Sequence, residues 1–275
     1  ALIPMLETIE SHFRELAPAV DFCSLRFVAE QNEAIEVRQG ILQPVETDDD
    51  VGVMITVVDK GGLGYAATSD LTLSGLRAAL AQATDWARQT AGHTVVDHGR
   101  IERPAPVGQY TTTVGEPWSQ APLGDRIGRA RIECERLKTD DRVVDWSASL
   151  WWIGSEQLYL TSDGGRTHQR FEYLIPGLSV TANEGSETVS RRFGGFDFGR
   201  QGGLEILDQV GFHQQAPRLA DEVLQLLAAP NCPTGAMDLL LSPDQMYLQI
   251  HESIGHPLEL DRILGDERNY AGTSF

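Results

Sequence analysis

From Val144 the chain alternates, with Val144, Trp146, Ala148, Leu150 and Trp152 set against Asp145, Ser147 and Ser149. A period of two belongs to a strand, here with one strongly apolar face. The feature constrains the fold because more strands follow at hairpin distance. Gly154-Ser155 joins it to a further strand through Leu158 and Leu160, and Asp163-Gly164 is a hairpin turn into strand-like sequence through Phe171 and Tyr173 that continues to about Phe193. The N-terminal half repeats the theme. Cys23, Leu25 and Phe27 face one way, Ile35 and Val37 resume the pattern, and Val51–Val58 is a β-branched strand turned by Gly61, Gly62 and Gly64 into another ending near Ala67. Helical spacing links Leu2, Leu6, Ile9, Phe13 and Leu16 before Pro18, and Leu73, Leu76, Leu80, Ala83 and Ala87 after the N-cap residue Thr72. It recurs in Leu123, Ile127, Ala130, Cys134 and Leu137, and in Leu219, Val223, Leu226 and Leu227. Strands and helices are grouped rather than alternating. The expected class is therefore α+β, with mixed, largely antiparallel sheets and packed helices, not a doubly wound fold.

Two stretches interrupt the pattern. Residues 99–122 carry Pro104, Pro106, Pro117 and Pro122, and Asn231-Cys232-Pro233 follows the last amphipathic helix. They predict an N-terminal α+β domain over 1–110, a middle α+β domain over 111–229, and the beginning of a third over 230–275. Asp48–Asp50 reads as a solvated acidic loop. Forty acids against 22 bases give a net charge of −18, which argues against direct nucleic-acid binding. The longest apolar run, Val51–Val58 interrupted by Gly52 and Thr56, is far too short to span a membrane. No basic-then-apolar segment opens the sequence, and Cys23, Cys134 and Cys232 form neither a CxxC pair nor a disulfide framework, so the cytoplasm is the expected compartment.

The chemistry lies in residues 237–275. Met237–Leu241 read as a short strand, and Ser242, Pro243 and Gln245 as a helix start with Ser as N-cap. Met246, Ile250 and Ile254 give that helix an apolar stripe. On it sits His251-Glu252-Ser253-Ile254-Gly255-His256. Two imidazoles with an adjacent carboxylate suit a hydrolytic zinc site, but the spacing is five rather than the familiar four. At ~100° per residue, five steps leave two side chains ~140° apart on a regular helix. A π-type turn, or a break at the second His, is needed to bring them together, and Gly255 and Pro257 around His256 favour such a distortion. The string arises by chance about once in a hundred sequences of this composition. His251 as a helix-surface residue and His256 as a C-terminal cap are the competing readings.

Residues 237–275 closely resemble the zinc-peptidase segment of the TldD branch of the TldD/PmbA family, once called modulators of DNA gyrase. VGVMITVVDKGGLGYAATSDLT (51–72) resembles that family's N-terminal domain, and LYLTSDGGRTHQRFEYLIPGLSVTANEGSE (158–187) its middle domain. The resemblance implies that His251 and His256 are zinc ligands and that Glu252 is the catalytic general base, activating a zinc-bound water. It implies a metalloprotease acting on short or unfolded peptides, bound extended along a sheet edge in a chamber between two subunits. The assembly would be a homodimer or a heterodimer with a PmbA/TldE-type subunit, which lacks the motif. Family members continue into a large C-terminal domain that carries a Cys as third ligand. Residues 230–275 are thus expected to be the start of that domain, with the third ligand downstream of Phe275. The 275-residue chain alone is expected to hold zinc weakly or not at all and to be inactive. Tight zinc in it would instead point to Cys232, Glu259 or Asp261 as the third ligand. The alternative from another class is a non-catalytic peptide-binding or assembly subunit with an idle motif.

Other features carry less. Gly61-Gly62-x-Gly64 lacks the Gly-Lys-Ser/Thr ending of a phosphate loop and reads as a hairpin. Gly194–Gly203, with Arg191, Arg192 and Arg200, reads as a flexible loop in so acidic a chain. Trp146, Trp151 and Trp152 are core candidates, His93 and His98 have no partner spacing, and no G-x-S-x-G elbow is present.

Overall fold

Three long strands organise the molecule: β1 (Phe22–Arg38), β6 (Val143–Thr161) and β7 (Arg166–Glu184). The structure is a computed structural model describing residues 2–274, with only the backbone of 2, 3, 270 and 271, so Leu2 of the first helical stripe lies outside the described side chains. In chain order the elements of the first unit are α1 (Leu2–Leu16), β1, β2 (Ile41–Leu42), β3 (Glu46–Asp59), β4 (Gly62–Thr68), α2 (Leu73–Thr90), β5 (Val107–Thr111) and α3 (Leu123–Leu137), then β6, β7, β8 (Glu187–Gly194), β9 (Arg200–Gln201), α4 (Ile206–Gln209) and α5 (Phe212–Ala228). One sheet has the order β4-β3-β1-β6-β7-β5, with β2 on β1 and β8 and β9 on β7. Every pairing is antiparallel except β5 with β7, so the fold is α+β.

Alternation along β1 decides where the cores lie. Its odd-numbered residues point to one face, and two groups of them are buried: Cys23, Leu25 and Phe27 near the start, Ile35 and Val37 near the end. The first group packs with Leu158 and Leu160 of β6 under α1 and α2 (Leu6, Ile9, Phe13; Leu76, Ala83). The second packs with Ala148 and Leu150 of β6 and with Leu174, Leu178 and Val180 of β7 under α3 and α5. Thr72 caps α2 through a side-chain bond from the Gly75 N–H (3.2 Å). The two cores thus share one sheet and each draws on both halves of the unit, because β1 and β6 run through both. A first compact unit spans Ala1–Ala229 and a second Pro230–Phe275.

Four local expectations are corrected. Gly154-Ser155 links no two strands: β6 runs unbroken through both residues, which pair with β1 and β7. Asp48–Asp50 is not a loop but part of β3, paired with Asn32, Gln31 and Glu30, and Gln31 Nε2 donates to Asp49 Oδ1 at 2.8 Å. Ladder pairing with β1 overrides a composition that disfavours strand. Leu123, placed inward by periodicity, is 44% exposed at the first turn of α3. Met237–Leu241 form no strand. A strand exists only through a partner's main-chain groups, and these residues have none in the described structure.

Candidate metal centre

The second unit holds α6 (Pro243–Ile250), a π turn (His251–Gly255), a 3₁₀ turn (His256–Leu258), α7 (Leu260–Leu264) and α8 (Arg268–Ala271). Ser242 is extended at the N-cap position and Pro243 opens the helix, as read from sequence, but the Ser side chain makes no capping bond. The helix is regular to Ile250. At His251 it widens, and the His256 N–H donates to the His251 carbonyl, the i→i+5 bond that defines a π turn. Pro257 then lacks the N–H an α-helix would use, and the chain tightens into the 3₁₀ turn.

The wide turn cancels the angular separation that five residues impose on a regular helix. The rings of His251 and His256 lie edge to face, their centroids 4.4 Å apart. His256 Nε2 is 3.7 Å from Glu252 Oε2. Donor atoms of His251, Glu252 and His256 all lie within 4.8 Å of one another. His251 and Glu252 are exposed and His256 half-buried. A tetrahedral zinc holds its ligand atoms roughly 3.3 Å apart, and small rotations of such accessible side chains span the difference. Two imidazoles beside a carboxylate are a donor set that fits zinc, short of a third protein ligand. Cys232, raised as a substitute ligand, is exposed and is not in this group.

One contact at the site was not legible as a pair beforehand: His256 Nδ1 lies 2.8 Å from Glu259 Oε1. Its sequence signal is the string His256-Pro257-Leu258-Glu259, in which a proline-opened turn returns the fourth residue to the first. A second polar constellation lies in the first unit, on the stretch of sheet between its two cores. There Gln31, Asp49, Glu156, His168, Arg170 and Glu172 line a cleft of about 670 Å³ with Trp152 at its edge. Glu156 and His168 are hydrogen-bonded, and Trp152 Nε1 donates to Glu172 Oε2 at 3.4 Å. Trp152 also stacks on the buried Trp118, so its expected core role holds in part. Trp151 points the other way, edge-on to Phe196.

The family description PmbA/TldA metallopeptidase domain 1 matches residues 23–87, from β1 into α2. A protein of Haemophilus influenzae named Metalloprotease TldD homolog is 26% identical over 254 residues, 88% of this chain and 50% of that protein. Over most of its length the chain is similar to proteins of the TldD/PmbA family. A Methanothermobacter thermautotrophicus relative, named Metalloprotease, is 25% identical over 250 residues, covering 91% of this chain and 53% of its own length. Among solved structures, a Thermotoga maritima protein named as a candidate modulator of DNA gyrase shares the fold with a TM-score of 0.60 at 14% identity, over 86% of this chain and 50% of that one. TldE from Thermococcus kodakarensis does so with a TM-score of 0.53 at 16% identity, over 79% and 47%. The chain thus spans about half the length of the curated TldD/PmbA relatives it matches. These relatives make the family one of metallopeptidase type. Among the described residues no helix is long and apolar enough to cross a membrane.

Proposed function

We propose that this chain is the N-terminal part of a TldD-type zinc peptidase subunit acting on short or unfolded peptides in the cytoplasm. The observation that carries the reading is the π turn, which turns a five-residue spacing into a two-histidine, one-carboxylate cluster. It supports His251 and His256 as zinc ligands, with the third ligand supplied from beyond Phe275. Zinc, when bound, polarises a carbonyl and lowers the pKa of water. The proton handling belongs to Glu252. Its carboxylate stands beside His256 and is 60% exposed, so water reaches it. It accepts a proton from the attacking water and returns one to the departing amine nitrogen. An extended peptide along a sheet edge would be held by main-chain hydrogen bonds.

The likeness to a TldE structure supports pairing with a PmbA/TldE-type subunit, or with a second copy. The same reading keeps the three-part division 1–110, 111–229 and 230–275, with the last segment opening the metallopeptidase domain. Glu252→Gln in the whole gene product tests the mechanism, because the amide is nearly isosteric but takes no proton at neutral pH. The expected result is retained zinc and at least ~10²-fold slower peptide hydrolysis. Zinc lost together with activity would make Glu252 a ligand, and unchanged activity would remove it from the reaction. A wild-type protein without zinc would favour a non-catalytic peptide-binding subunit.

A further inference from the structure

Glu259 stands outside the His251–Glu252–His256 group but touches it. The turn His256–Leu258 ends at Glu259, whose own N–H returns to the His256 carbonyl at 3.2 Å. That closed turn sets Glu259 Oε1 2.8 Å from His256 Nδ1. An ionised carboxylate only accepts hydrogen bonds, so the proton of this contact sits on Nδ1 and is donated to Glu259. The lone pair of the neutral ring is then on Nε2, the nitrogen that faces Glu252. We propose that Glu259 is the positioning residue of His256: it holds the Nδ1–H tautomer and the ring plane, and so presents Nε2 to the metal.

The purpose of the contact rests on the reading of His256 as a zinc ligand, whereas the tautomer does not. The arrangement is that of a carboxylate orienting a metal-bound imidazole from its far nitrogen, a kind of contact worth 10–100-fold in metal affinity. It also separates Glu259 from the third-ligand role raised from the sequence, because its carboxylate engages the nitrogen that does not face the cluster. Asp261 is used elsewhere: its side chain accepts from the Arg262 N–H at 2.8 Å, and its carbonyl accepts from the N–H groups of Gly265 and Asp266.

Two measurements test the proposal. The first is ¹⁵N NMR of the metal-free 275-residue chain labelled on histidine, at a pH well above the ordinary histidine value of about 6.5. His256 should show a protonated Nδ1 and an unprotonated Nε2, and Glu259→Ala should abolish that bias. An Nε2–H tautomer in the wild type, or a bias untouched by Glu259→Ala, overturns the proposal. The second is competition for zinc between the whole gene product and a chromophoric chelator. Glu259→Ala should weaken zinc binding by about 10–100-fold. Glu259→Gln should recover part of the loss, since its carbonyl oxygen still accepts from Nδ1, and the metal-free variants should melt with the wild type. Unchanged affinity in Glu259→Ala overturns the positioning role. So does a loss as complete as that of His256→Ala with an altered cobalt(II) spectrum, which would make Glu259 a ligand. A wild type that binds no zinc, or a His256→Ala variant that binds it normally, overturns the proposed function instead, and the tautomer result then stands by itself.

Discussion

Residues 1–229 and 230–275 are built on opposite principles. In the first unit, residues more than a hundred positions apart in the chain pair in register, as Ser24 with Thr161 and Arg38 with Ser147, and two groups of apolar side chains leave water entirely. In the second, none of the described residues is buried; Leu240 is fully exposed, and Tyr247, Leu248, Ile250 and Ile254 are about half exposed or more. Its shape comes from bonds three, four and five residues long. The first unit carries the buried cores and the second the His251–Glu252–His256 cluster. A site assembled by one turn of backbone needs little of the fold for its two histidines to meet. An eight-residue helix, by contrast, is marginal in water without a packed face.

The sharpest way to break that comparison is paired truncation. Phe27 is fully buried in the first core, so Phe27→Ala should lower the unfolding free energy of the chain by about 3–5 kcal/mol. Ile254→Ala, at a 54% exposed position, should change it by no more than about 0.5 kcal/mol. Urea denaturation followed by tryptophan fluorescence reads both. Equal losses would mean that Ile254 is packed in a core, and the contrast would fail.

A smaller effect is expected at Glu133, the buried carboxylate between α3 and α5. It accepts from Arg136 at 3.0 Å and from His213 Nδ1 at 2.9 Å, and Arg136 also donates to the His213 carbonyl. Arg136 and His213 are partly exposed and can turn to water, so Glu133→Ala should cost about 1–3 kcal/mol rather than the full penalty of a stranded buried charge. A cost below about 0.5 kcal/mol would show that α5 is held by its apolar stripe alone.

Acid should weaken the first unit next. Hydrogen bonds from the Arg142 side chain and backbone hold Asp140 at about 2, and Arg38 lowers Asp145 while Arg191 lowers Glu222. Burial works against the Glu205 carboxylate, but the backbone N–H groups of Gly115, Gly203 and Glu116 outweigh it and lower its pKa too. A carboxyl lowered in the folded state stabilises it above the ordinary carboxyl range, and that contribution is lost as pH falls through the folded value. Melting temperature should therefore decline between about pH 4.5 and 2, where these groups take up protons. A flat profile across that window would remove the ion pairs from the balance.

The smallest effect is on reactivity, and it separates the units without touching stability. Burial pushes the Cys23 thiol up to about 12, and burial likewise raises Cys134. Cys232 is exposed. A thiol reagent near neutral pH should modify Cys232 in the native chain and reach the other two only on unfolding. Native labelling of Cys23 would show that the first core opens readily.

The sequence by itself determined the period-two strands, the hairpin at Asp163-Gly164, the Thr72 cap, and the need for a distorted turn between His251 and His256. Each depends on neighbours within a few residues, where alternation, turn chemistry and helical angle act directly. Tertiary structure decided the rest. Asp48–Asp50 became strand because β1 offered a ladder, and Met237–Leu241 did not because no ladder was offered. Two apolar runs in β1 became two cores on a single sheet because long strands continue through both, a fact that no local window contains. The partner of His256 Nδ1 also escaped the sequence as a pair, although only three residues away. A carboxylate can follow a histidine in many conformations, and only the folded turn through Pro257 selects the one in which Glu259 reaches the ring.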